Sequence, residues 1–174
     1  MPRQPVPLMT ARLSLRQPAQ ADAVAVLGIL SNPLVVEHNP SAVVTELEDV
    51  EALVGQWLEH WERHGFGNCC VFEEETGRLV GNCGVRWATI RGDRVLNLMY
   101  RLHPSTWGHG YATEAAAALL QWVRESLPTE LVVARVRPTN TASQRVATKI
   151  GLRRDPASDD HGEDGFDWAF TGRL

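Results

Sequence analysis

Leu102-His103-Pro104-Ser105-Thr106-Trp107-Gly108-His109-Gly110-Tyr111-Ala112-Thr113-Glu114-Ala115 joins an apolar run of strand type to an alanine-rich helix. Pro104 cannot continue a strand ladder, so the strand ends there. Gly108 and Gly110 have no Cβ, so a bulky anion can come close to the backbone. The helix that follows leaves its first N–H groups unpaired, and its dipole attracts negative charge. Two readings fit these residues: a pyrophosphate cradle, or a plain strand-to-helix turn with convenient glycines. No Gly-Lys-Ser/Thr follows, which excludes a P-loop. No acidic residue closes a βαβ unit about 20 residues on, which argues against a dinucleotide fingerprint.

The chain around this junction reads as alternating elements. Before it, residues 66–72, 78–87 and 95–103 form three strands joined by the turns Glu73-Glu74-Glu75-Thr76-Gly77 and Arg91-Gly92-Asp93. After it, the helix runs to about Ser126 and residues 131–137 form a strand. Asn140 caps a short helix through Ile150, with Val146 and Ile150 buried, and Gly151 ends it. A polar loop, 155–165, precedes a last strand at 166–171.

Towards the N-terminus, residues 1–9 hold Pro2, Pro5 and Pro7 and read as a loose, flexible arm. Residues 10–17 alternate as a strand, and Pro18 opens a helix with Val24, Leu27 and Gly28 on its buried stripe. The segment 34–45 is irregular. A second helix begins near Glu46 and buries Val50, Leu53, Val54, Trp57, Leu58 and Trp61. The order β-α-α-β-β-β-α-β-α-β is α/β with a mixed sheet, and 10–174 reads as one domain.

The composition narrows the function. With 17 basic and 21 acidic residues the net charge is −4, which leaves no footprint for nucleic acid and mildly favours a neutral or cationic substrate. No apolar run is long enough to span a bilayer. Cys69, Cys70 and Cys83 are an odd count, and no secretory segment is evident, so a reduced, cytoplasmic protein is expected. Cys69 and Cys70, adjacent in a strand, point to opposite faces. They suit neither a metal pair nor a disulfide and read as small buried hydrophobes.

Two motifs, Trp107-Gly108-His109-Gly110-Tyr111-Ala112-Thr113-Glu114-Ala115 and Asn140-Thr141-Ala142-Ser143-Gln144-Arg145-Val146-Ala147-Thr148-Lys149-Ile150-Gly151-Leu152, resemble the GCN5-related N-acetyltransferase (GNAT) superfamily. Within it the chain resembles the RimJ/RimL-like branch, which acetylates ribosomal-protein N-termini. The resemblance implies a mixed, mostly antiparallel sheet with a splayed central parallel strand pair and helices on both faces. It implies acetyl-CoA as co-substrate and no metal. Trp107, Gly108, His109, Gly110, Tyr111, Ala112 and Thr113 would form the pyrophosphate loop. The backbone of Tyr100, Arg101 and Leu102 would pair with the pantetheine arm as an added strand. Asn140 would bond the pantetheine amide. Dimers are frequent among such relatives, so a homodimer is an option.

Acetyl transfer to an amine needs a base or water relay for the amine proton, a donor for the oxyanion, and at most a weak acid for the leaving thiolate. Ser143 stands where relatives place a hydroxyl near the CoA sulfur and is the candidate acid. The position where relatives often carry a Glu base is Asn97, which cannot act as one. Glu37, His38 and His103 are the substitute bases, each with an ordinary reading as a solvated loop or strand-end residue. Glu114 reads as a structural first-turn carboxylate. Asp159, Asp160, Glu163 and Asp164 give one wall of the acceptor site an acidic loop. The acceptor would be a small-molecule amine or a protein N-terminus. The rival reading, favoured by Asn97, is a non-catalytic acyl-CoA-binding or regulatory module.

Overall fold

The computed structural model describes residues 2–173; Met1 of the expected arm and Leu174 lie outside the described residues. The elements in chain order are β1 (Leu8–Met9), β2 (Leu13–Arg16), α1 (Ala23–Leu30), α2 (Leu47–His64), β3 (Asn68–Glu73), β4 (Leu79–Ile90), β5 (Asp93–Leu102), α3 (Tyr111–Ser126), β6 (Leu131–Val136), α4 (Thr141–Lys149), β7 (Arg153–Arg154), β8 (Asp160–Gly162) and β9 (Gly165–Arg173). The sheet order is β1-β2-β3-β4-β5-β6-β9-β7, with β8 on β9. Every pairing is antiparallel except β5 with β6.

The pleat sorts the side chains into two cores. Leu13, Leu15, Cys69, Val71, Cys83, Val85, Leu96 and Leu98 pack under α3, against Ala115, Ala116, Leu119 and Leu120. Cys70 turns the other way, under α1 and α2, with Val26, Leu30, Val50, Val54 and Trp57. Cys69 and Cys70 therefore face opposite sides, and burial pushes the Cys69 thiol up to about 12. The small Ala115 and Ala116 let α3 sit close to the sheet.

Three expectations need correction. The buried side of α1 is Ala23, Val26, Ile29 and Leu30, and Val24 is 68% exposed. A helix this short and apolar all round carries little directional signal, so its contact with α2 sets its rotation. The arm is not loose: Leu8–Met9 pair with β2, Gln4 N–H bonds Gly65 O, and Gln4 is buried with its Nε2 on Cys69 Sγ. The polar stretch 155–165 contains a short 3-10 turn and the β8 strand, which forms a hairpin with β9. Proline-rich and acidic composition hid both, because main-chain pairing across the sheet edge carries no local pattern.

Candidate functional site

β5 and β6 pair only at Leu96↔Val132 and Asn97↔Val133. Beyond Asn97 the strands part, each held on its far side by β4 or β9. The β4–β5 register is unbroken, and His103 N–H bonds Val80 O. In such a ladder alternate residues turn their main chain to the same neighbour. The odd-numbered residues of β5 therefore face β4, and Leu98, Tyr100 and Leu102 face the gap. Trp107 Nε1 donates to Leu102 O at 2.9 Å, which leaves Leu102 N–H and both main-chain groups of Tyr100 on the open edge. Arg101, expected to contribute backbone here, instead pairs its main chain with Asn82 on β4.

The glycine turn stands at the mouth of the gap. Trp107 N–H bonds Pro104 O and Glu114 N–H bonds Gly110 O. Among the described residues the N–H groups of Gly108, His109, Gly110, Tyr111, Ala112 and Thr113 between them have no partner. Gly108 and Gly110 have φ of 80° and 77°, the left-handed region where a Cβ is strained. A Cβ on Gly108 would meet nothing within 4 Å, and one on Gly110 only Arg12 Nη2 at 3.7 Å, so the space in front of the turn is open. The His109 ring donates to Thr106 O, so this residue offers the site its N–H only. Glu114 is a clasp: it accepts from Thr10 Oγ1 at 2.6 Å, Arg12 N at 2.9 Å and Arg12 Nε at 2.7 Å, tying the start of β2 to α3. Burial opposes its charge, but these bonds hold its carboxyl below the usual range.

Across the gap, α4 starts at Asn140, whose Oδ1 accepts Ser143 N–H at 3.0 Å while its Nδ2 has no described partner. Tyr100 Oη donates to Ser143 O at 2.9 Å, so the 3.0 Å contact to Ser143 Oγ has the serine as donor. Burial pushes the Tyr100 hydroxyl up to about 12. The tyrosine side chain therefore ties β5 to α4. No local pattern announces a contact 43 residues apart, so along the chain only the backbone of Tyr100 stands out.

The three substitute bases are not together. His103 caps the turn after β5, its Nδ1 2.8 Å from Ser105 Oγ. Glu37 is exposed, 4.0 Å from His38 Nε2. His38 reaches the strand–helix loop beside Asn140: its Nδ1 is 3.3 Å from Thr139 Oγ1, and its O accepts from Arg137 Nε at 3.0 Å. Ser41 N and Oγ donate to Asp164 at 2.8 and 2.6 Å, so the α1–α2 connection is strapped to the β8–β9 hairpin. The acidic loop is largely engaged: Asp159 pairs with Arg154, and Asp160 accepts His161 N–H.

An open strand edge, six amides without a partner among the described residues and a helix capped by asparagine thus border the parted strands. The Acetyltransferase (GNAT) domain family matches residues 12–153, and the chain belongs to that family. The protein YkkB of Bacillus subtilis, itself uncharacterised, is 30% identical over 149 residues, covering 83% of this chain and 84% of that one. An acetyltransferase from Agrobacterium tumefaciens superposes with TM-score 0.79 at 28% identity, over 95% of this chain and 93% of that one. RimJ of Mycobacterium smegmatis, solved with a CoA disulfide, shares the fold at TM-score 0.71 and 21% identity, over 92% and 81% of the two chains.

Proposed function

We propose that the protein is an N-acetyltransferase that moves an acetyl group from acetyl-CoA to a primary amine directly, with both substrates bound together. One observation carries this: the unpaired main-chain groups from Tyr100 to Thr113, which run from the parted strands into the glycine turn. Tyr100 and Leu102 would pair with the pantetheine amides as a missing strand. The amides of Gly108 to Thr113 would hold the pyrophosphate, and Asn140 Nδ2 would donate to the arm from the other side. Bound acetyl-CoA supplies the acetyl group as a thioester.

The residues then have distinct tasks. Holding the amine against the thioester supplies much of the rate. A main-chain N–H on the open β5 edge donates to the oxyanion. Ser143 Oγ, whose proton rests on Tyr100 Oη, would turn that proton to the departing thiolate. His38 is the base that the geometry favours, since it alone of the three candidates reaches the loop beside Asn140. The acceptor is a small-molecule amine or a protein N-terminus, and the three free, buried thiols suit the reducing cytoplasm. Residues 10–174 would act as one acyltransferase domain.

The second reading, a non-catalytic acyl-CoA-binding module, is favoured by Asn97, which sits opposite Arg86 without a carboxylate. The test begins with the melting temperature in acetyl-CoA, CoA and ATP. A ligand bound to the native state must raise it. A rise with both CoA species and none with ATP is expected. No rise would sink both readings. Thiol release with an amine panel then separates them: turnover supports the enzyme, and its absence across the panel supports the module.

A further inference from the structure

The odd-numbered face of β5 carries a charge that the proposed reaction does not use. Three arginines are not exposed: Arg101, Arg137 and Arg154. Arg137 is paired with Asp167 and Arg154 with Asp159. Arg101 has no hydrogen-bond or carboxylate partner among the described residues. Burial and the nearby Arg86 charge both push its pKa down, and Asp164 alone opposes them. Asp164 already gives both oxygens to Ser41. Arg101 is thus a half-buried cation whose nearby carboxylate is already bonded to Ser41, so its charge is only weakly countered.

Arg101 does not stand alone. The register pairs Asn82 with Arg101, Gly84 with Met99 and Arg86 with Asn97, so Arg86, Asn97, Met99 and Arg101 share one face of the sheet. Arg86 is exposed and also has no ion-pair partner among the described residues. A cavity of about 170 Å³ at Arg86 is also lined by Glu59, His60, Arg63, Asn68 and Trp87, and Asn68 Oδ1 is buried there without a partner. This face lies on the α1–α2 side of the parted strands, where an acceptor must approach. Arg86 and Arg101 are cations without an ion pair on this face among the described residues, and Glu59, which lines the same cavity as Arg86, is the one carboxylate in that lining.

We infer that the acceptor amine carries an anionic group, a carboxylate or a phosphate, and that Arg101 with Arg86 binds it. A guanidinium fork suits either group, and such charge-assisted pairs fix orientation as well as affinity. The amine part of this statement rests on the acetyltransferase reading; the anion part does not.

Two measurements test it. First, the arginine Nε–Hε signals of the CoA-bound wild type are followed by NMR, with Arg101 assigned through Arg101→Lys. β-Alanine or phosphoethanolamine is expected to move the Arg101 signal, and whichever binds more tightly identifies the anion. Propylamine and ethanolamine should leave it in place. No response to either anion, or an equal response to the neutral amines, overturns the inference. Second, kcat/KM is compared within each pair. The anionic amine should lead by at least about tenfold, the worth of one good charged contact. Arg101→Met should erase that lead through KM, Arg101→Lys should restore part of it, and acetyl-CoA affinity should hold within about twofold. Equal use of neutral and anionic amines sinks the inference and leaves the acetyltransferase standing. A shifted Arg101 signal with no amine acetylated does the reverse. Lost acetyl-CoA affinity in both variants would assign Arg101 to the cofactor and overturn the proposal.

Discussion

α3 and α4 each follow one strand of the parted pair, yet they begin in opposite ways. α3 opens through Gly108 and Gly110, both in the left-handed region, with no side-chain cap and six unpaired amides. α4 opens through Asn140, whose side chain accepts Ser143 N–H, while Gln144 Nε2 donates to Arg137 O and Pro138 O. One start is left for a ligand to complete, and the other is completed by the chain itself. The difference separates a helix start whose amides await a partner from one whose side chains brace it: unsatisfied amides are costly in isolation and are tolerated where a partner arrives.

The comparison breaks most completely at Gly110. Gly110→Val puts a β-branched residue at φ 77° and fills the open turn, so acetyl-CoA affinity by calorimetry should fall by well over about tenfold. Unchanged affinity would mean that the turn is not the cradle.

Asn140 sharpens the contrast, because its two roles separate. Asn140→Ala should lower the unfolding free energy by about 1 kcal/mol in urea through loss of the cap. Asn140→Asp keeps the cap oxygen and should hold stability near wild type, yet lose acetyl-CoA affinity because the Nδ2 donor is gone. Equal acetyl-CoA binding by wild type and Asn140→Asp would reduce Asn140 to a cap.

Tyr100→Phe cuts the tie between β5 and α4. It should cost about 1 kcal/mol of stability and slow acetyl transfer while leaving the acetyl-CoA melting shift in place. Loss of that shift would show that the tie itself holds the gap open.

The smallest effect is a pH dependence away from both helices. His60 Nδ1 donates to Phe66 O at 2.8 Å, and Nε2 accepts Trp87 N–H at 3.2 Å, so the ring must be neutral. Burial holds its pKa below the ordinary histidine value, and the Phe66 bond only partly offsets this. The unfolded chain therefore binds the proton first. This contribution to stability is complete above the unfolded value near 6.5 and declines as pH falls below it. Melting temperatures from pH 7.5 down to about 5 should fall more steeply for wild type than for His60→Gln. Parallel curves would remove His60 from the account.

Much of this was legible along the chain because it is local. Gly108 and Gly110 announce the open turn, Asn140 announces the capped helix, and alternation places Cys69 and Cys70 on opposite faces. The stripe of α2 was legible for the same reason, with Val50, Val54, Trp57 and Trp61 buried. The shorter α1 was not: its apolar residues surround it, so Val24 looked buried and is exposed. The catalytic candidates were the least legible. Glu37, His38 and His103 were equivalent in the sequence, and only His38 is drawn to the loop before α4, held by Thr139 and Arg137.

By itself, then, the sequence determined the family, the order of the longer elements and the open glycine turn, because glycine conformation, capping and periodicity act over a few residues, whereas the short strands β1, β7 and β8 carry no such local pattern. The tertiary structure alone decided where β5 leaves β6, which main-chain groups of Tyr100, Arg101 and Leu102 face the gap, and that Tyr100 meets Ser143. It also decided that Arg101 has no carboxylate while Arg137 and Arg154 do. Those outcomes depend on register and on contacts between distant residues, which follow from how the whole sheet closes its hydrogen bonds.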